Sequence, residues 1–153
     1  MFPRLLPQGF KLNVMSAKPA KTARVSILQG YKKYWDRRAA EEEIAKEKIR
    51  AKAIREAKHL KDILVKEFSV KKVVLFGSVL EAGRFKENSD IDIAVAGLPK
   101  KLYFRALSRL MMESTFEIDL KPVEDVSELL RQRIKKGKVI YEKTENSRSN
   151  LRD

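Results

Sequence analysis

Residues 73–95 read "VVLFGSVLEAGRFKENSDIDIAV": a β-branched run, a Gly-Ser pair, a polar loop, and two aspartates one residue apart inside a second apolar run. "KVVLF" (72–76) reads as a buried strand that Gly77-Ser78 ends, and residues 79–82 read as the opening of a short helix. The loop 83–89 leads into a second strand from Asp90 to Ala96. Strand side chains alternate, so Asp90 and Asp92 share one face while Ile91, Ile93 and Val95 share the other. Neighbours on one face of a strand lie roughly 6–7 Å apart, so both carboxylates can reach cations held between them.

Downstream, "TFEIDLKP" (115–122) repeats the pattern, with Ile118 and Leu120 facing one way and Glu117 and Asp119 the other. Paired with the strand before it, this third strand brings Asp119 to Asp90 and Asp92. Three carboxylates together repel and raise one another's pKa, which a divalent cation relieves. A wet sheet face would show the same alternation. The Gly-Ser upstream adds a second signal: Gly77 lets backbone approach an anion, and Ser78 offers a hydroxyl and an amide.

Between and after these strands, a helix over 101–113 buries Leu102, Ala106, Leu107 and Leu110, with Met111 and Met112 also read as core. "DVSELLRQRIKKG" reads as a helix with Asp125 as N-cap, Glu128 three residues on and Gly137 just past its end. "KVIYE" is a last strand. From about Asp36 to Phe68 there is no Gly or Pro, and Ala53, Ala57, Leu60, Leu64 and Phe68 recur at helical spacing. The expected fold is α/β, of the two-layer α+β kind: a mixed sheet of about four strands with helices on one face, preceded by a long N-terminal helix. Four segments follow: 1–34, a basic, disordered arm; 35–68, the helix, packing by its C-terminal half; 69–143, the α/β domain; and 144–153, a disordered tail.

Composition narrows the chemistry. The chain has 153 residues, no cysteine and a single histidine, His59. That excludes a disulfide framework, a thiolate zinc site and a cysteine nucleophile, and it leaves oxygen ligands suited to Mg²⁺, Mn²⁺ or Ca²⁺. The net charge of +13 points to an anionic partner. No run approaches the roughly 20 apolar residues of a membrane span, and a cytoplasmic location is expected.

The segments "LFGS", "SDIDIAV" and "FEIDL" resemble those of the minimal nucleotidyltransferases of the DNA polymerase β superfamily, over about residues 60–142. The resemblance implies that Gly77 and Ser78 hold a nucleotide triphosphate and that Asp90 and Asp92 bind two Mg²⁺, with Mn²⁺ as a substitute. Asp119 completes that site as a ligand and as a base for the attacking hydroxyl. The implied reaction moves a nucleoside monophosphate, with ATP the expected donor, to an acceptor hydroxyl. Stand-alone members resemble antitoxins paired with a HEPN ribonuclease, so a HEPN protein is an expected partner. Eleven residues separate Ser78 from Asp90, about one more than usual, and Val79, Leu80 and Glu81 stand where many relatives carry Arg. Arg84 and Lys86 are the expected substitutes for that charge.

Two rival readings stay open: a catalytically silent domain that binds a partner, and a basic module that binds nucleic acid through its N-terminal arm. Tyr31, Tyr34 and Trp35 among Lys and Arg fit base stacking or packing on the helix. The run "RQRIKKGK" (131–138) fits phosphate contact or a solvated helix end that complements the helix dipole.

Overall fold

The structure, a computed structural model, describes residues 21–144. Residues 1–20 of the expected arm and tail residues 145–153 lie outside the described residues, whereas residues 21–34 of that arm are helical. The chain divides into two units between Ala45 and Lys46.

The first helix, α1 (Lys21–Phe68), begins well before Asp36. Pro19 is the last imide to obstruct it, and Gly30, whose missing Cβ would meet nothing within 4 Å, costs a helix only about 1 kcal/mol. In the first unit the aromatic residues pack on one another along this helix. Trp35 meets Tyr31 and Tyr34 edge-on at 6.1 and 5.7 Å, and the Arg37 guanidinium lies 5.8 Å from the Tyr34 ring centre.

In the second unit, Ala53, Ala57, Leu60 and Leu64 of α1 are fully buried. They form one apolar stripe at spacings of three and four. Four strands follow: β1 (Lys72–Phe76), β2 (Ile91–Ala96), β3 (Ile118–Pro122) and β4 (Lys138–Glu142). They form one mixed sheet in the order β3-β2-β1-β4. β1 is antiparallel to both β2 and β4, whereas β2 and β3 are parallel. A parallel pair needs a crossover, and α2 (Tyr103–Glu113) supplies it.

One face of the sheet carries Val73, Leu75, Ile91, Ile93, Val95, Ile118 and Leu120, packed with the α1 stripe and with Ala106 and Leu110 of α2. Met111 and Met112 are outside this core, 47% and 81% exposed. With Ala106 and Leu110 facing in, a 100° step per residue turns the next two side chains outward. The two-layer α/β fold thus stands, with one addition. The last helix, α3 (Glu128–Lys135), lies on the other face, where Ile134 packs with Val74, Phe76 and Ala94. Its cap is Ser127, whose hydroxyl accepts from the Leu130 N–H at 3.3 Å. Asp125 instead closes a 3₁₀ turn over Val123–Asp125. No helix among the described residues is long and apolar enough to cross a membrane.

Candidate active site

The site is built where β1 ends and β2 begins. Antiparallel pairing sets Phe76 opposite Asp92, and parallel pairing sets Asp92 beside Asp119. Adjacent strands lie about 4.8 Å apart, so these two carboxylates are immediate neighbours on the face that carries Ala94. Burial first, then the charge of Asp119, push the Asp92 carboxyl up from its ordinary 3.8 to about 6; Arg133 opposes the rise and Asp90 adds to it. Asp119 also faces Lys121 at 3.2 Å. Asp90 stands exposed just ahead of β2.

Gly77 meets the Asp92 carboxylate directly. Its φ is +81°, and a Cβ added there would lie 2.1 Å from Asp92 Oδ2. Only a residue without a side chain fits that position. Ser78 follows in a 3₁₀ turn over Gly77–Leu80, shorter than the expected α-helical opening. Gly77 and Ser78 border a cavity of about 530 Å³ whose walls also carry Glu81, Arg84, Arg133 and Lys136. Arg84 is paired with Glu81 at 2.5 Å. Lys86 does not line the cavity; its backbone N–H donates to Ser89 Oγ at 2.8 Å.

Arg133 and Lys136, which the sequence left between phosphate contact and a solvated helix end, both line this cavity. They belong to the "RQRIKKGK" run, which a solvated helix end explains equally well. The deciding feature is Gly137: an added Cβ would lie 2.7 Å from the Leu75 carbonyl oxygen and 2.8 Å from Val74 Cγ1. The chain leaving α3 is therefore pressed against β1, and Arg133 and Lys136 line the same cavity as Arg84. A glycine directly after a basic helix end, followed by a strand, was the available signal.

Among the described residues, no group of three or more His, Cys, Asp or Glu converges as a set of metal ligands. The structure brings Asp92 and Asp119 together and leaves Asp90 exposed, one residue ahead of β2. As a donor pair, two adjacent carboxylates fit a hard divalent cation. A larger cavity of about 750 Å³ opens at the far ends of β2 and β3, beside Tyr103, Phe104 and Lys121. It contains none of the residues expected at the site.

A family model described as polymerase beta, nucleotidyltransferase, matches residues 58–146. The chain belongs to this family. The match spans β1 to β4 and every residue of the site described above, so the chemistry of this nucleotidyltransferase is sought there. No curated protein matches the chain. Among solved structures, a toxin–antitoxin with AMP-PNP is 25% identical, over 57% of this chain and 74% of that one, with a TM-score of 0.49. The toxin–antitoxin MntA-HepT is 24% identical over 59% of this chain and 72% of that one, with a TM-score of 0.44. Fold similarity at this level carries no weight for substrate or partner.

Proposed function

We propose that this nucleotidyltransferase moves a nucleoside monophosphate, AMP from ATP in the first instance, to a hydroxyl group with release of pyrophosphate. The observation that carries the reading is the junction at Gly77, where the Asp92–Asp119 pair and a cationic cavity share one backbone position. Nucleotidyl transfer needs positioning and charge neutralisation more than covalent chemistry. Gly77 and Ser78 bind phosphate oxygens through backbone N–H groups and the Ser78 hydroxyl. Arg84, Arg133 and Lys136 surround the rest of the polyphosphate. A cavity of this volume is of the size that holds a ligand as large as a nucleotide.

Asp92 and Asp119, with Asp90 beside them, are the residues that would hold Mg²⁺. When bound, the ion supplies charge neutralisation on the phosphate and lowers the pKa of an oxygen that it binds. Asp119 also stands as the base that takes the proton from the acceptor hydroxyl. That acceptor belongs to a partner protein, and the sequence resemblance supports a HEPN-type partner, which makes this chain its antitoxin.

The test incubates the full chain with each NTP, labelled at the α-phosphate, and Mg²⁺, with and without a HEPN-type partner. The expected result is labelled protein and pyrophosphate from the wild type, reduced by at least about a hundredfold in Asp92→Asn and Asp119→Asn. Equal transfer by the variants would overturn the assignment of these carboxylates. Partner binding by all three proteins with no transfer under any NTP would make the chain a binding module.

A further inference from the structure

The 3₁₀ turn that carries Ser78 is held from behind by a side chain outside the matched family region. Arg50 of α1 donates from Nε to the Val79 carbonyl at 2.7 Å and from Nη2 to the Leu80 carbonyl at 3.4 Å. Its remaining Nη1 is occupied by Glu47 at 2.8 Å. The side chain is only 20% exposed, so little water competes for these donors.

The turn has few bonds of its own. It has no side-chain cap at its start, and its closing bond runs from the Glu81 N–H to the Ser78 carbonyl at 3.0 Å. The Val79 and Leu80 carbonyls take these bonds in a part-buried setting, where a carbonyl left without a partner costs stability. A planar guanidinium can hold two adjacent carbonyls at once with fixed geometry; an ammonium cannot.

We infer that Arg50 is a positioning residue for nucleotide binding: by fixing the Val79 and Leu80 carbonyls from α1, it sets the orientation in which Gly77 and Ser78 meet the phosphates. This rests on the proposed nucleotide reading. Arg50 is not among the residues lining the cavity and acts through the turn alone. Residues 58–146 do not include it, so this chain recruits its own long helix to hold a turn that lacks Arg at Val79, Leu80 and Glu81.

The test compares full-length wild type, Arg50→Ala, Arg50→Lys and Glu47→Ala, well below their melting temperatures. Two readouts are taken: calorimetric binding of ATP with Mg²⁺, and amide hydrogen exchange over residues 77–81. The expected result for Arg50→Ala is faster exchange in that segment and ATP binding weakened about ten- to hundredfold. Arg50→Lys recovers part of both, and Glu47→Ala leaves both near wild type. Unchanged exchange in Arg50→Ala overturns the clamp. Faster exchange with unchanged ATP affinity overturns its role in nucleotide binding. If wild type binds neither ATP nor, in the same calorimetric assay, GTP, CTP or UTP, the nucleotide reading itself falls and this positioning role falls with it, while the exchange data still decide whether Arg50 holds the turn.

Discussion

At the scale of single residues, Asp92 carries the clearest electrostatic consequence. Its folded pKa, about 6, lies above its ordinary 3.8, so the folded protein favours the protonated form more than the unfolded chain does. The stability this contributes is fully present below pH ~4 and is lost as pH rises through about 6. Asparagine, of the same shape, carries no such charge. Asp92→Asn is therefore expected to be more stable than wild type at pH 8 by about 1–2 kcal/mol, a figure reduced for the solvent screening of a half-exposed group. The gap closes near pH 4. Urea denaturation of metal-free protein at the two pH values measures it, and equal midpoints at pH 8 would contradict the raised pKa.

At the scale of elements, a second α1 side chain reaches the other end of the site. Glu56 accepts from Ser114 Oγ at 2.8 Å, from the Thr115 N–H at 3.1 Å and from Thr115 Oγ1 at 2.6 Å. This ties the α2–β3 turn, three residues ahead of Ile118 where β3 begins, to the long helix. Burial pushes the Glu56 carboxyl up, but its Thr115 and Ser114 hydrogen bonds outweigh this and leave it below the usual range. Glu56→Ala is expected to cost about 1–2 kcal/mol and to speed amide exchange over residues 114–117 but not over 77–81. Acceleration of both segments alike would show general loosening instead.

The same scale explains what sequence could convey. β1 and β4 were readable because a glycine marks one end of each short β-branched run: Gly77 follows β1 and Gly137 precedes β4. The pairing of Asp92 with Asp119 was readable because a period of two leaves no choice of face. The start of α1 was not, because Gly30 stops a helix only where something else also favours a turn, and there nothing does. The role of Arg50 was hidden, and those of Arg133 and Lys136 left undecided, for another reason. A basic residue on a polar helix face looks the same in sequence whether it meets water or a carbonyl 29 residues away.

At the scale of the whole molecule, a chain with a net charge of +13 has its neighbouring Asp92 and Asp119 and its cavity of Arg84, Arg133 and Lys136 meeting at the Gly77 junction, so the proposed cation and anion sites adjoin. Mg²⁺ and ATP should consequently bind better together than apart. Together they are expected to stabilise the wild type by about 2.7 kcal/mol at a hundredfold excess over Kd, read as a rise in Tm. EDTA should remove most of that rise, and Asp92→Asn should show little of it. An undiminished shift in EDTA would mean that the nucleotide binds through the cationic cavity alone.

The contact between Gly77 and Asp92 also sets an order on how this protein can change over generations. While an aspartate stands at 92, any side chain at 77 collides with its carboxylate, and the positive φ adds a further cost. Mutation at 77 is thus expected to be purged first, whereas Asp92→Asn is expected to keep the fold and to relieve a partly buried charge. A lineage that abandons catalysis will lose the aspartate early and keep the glycine long afterwards, so descendants with Gly at 77 and no acid at 92 would be former enzymes.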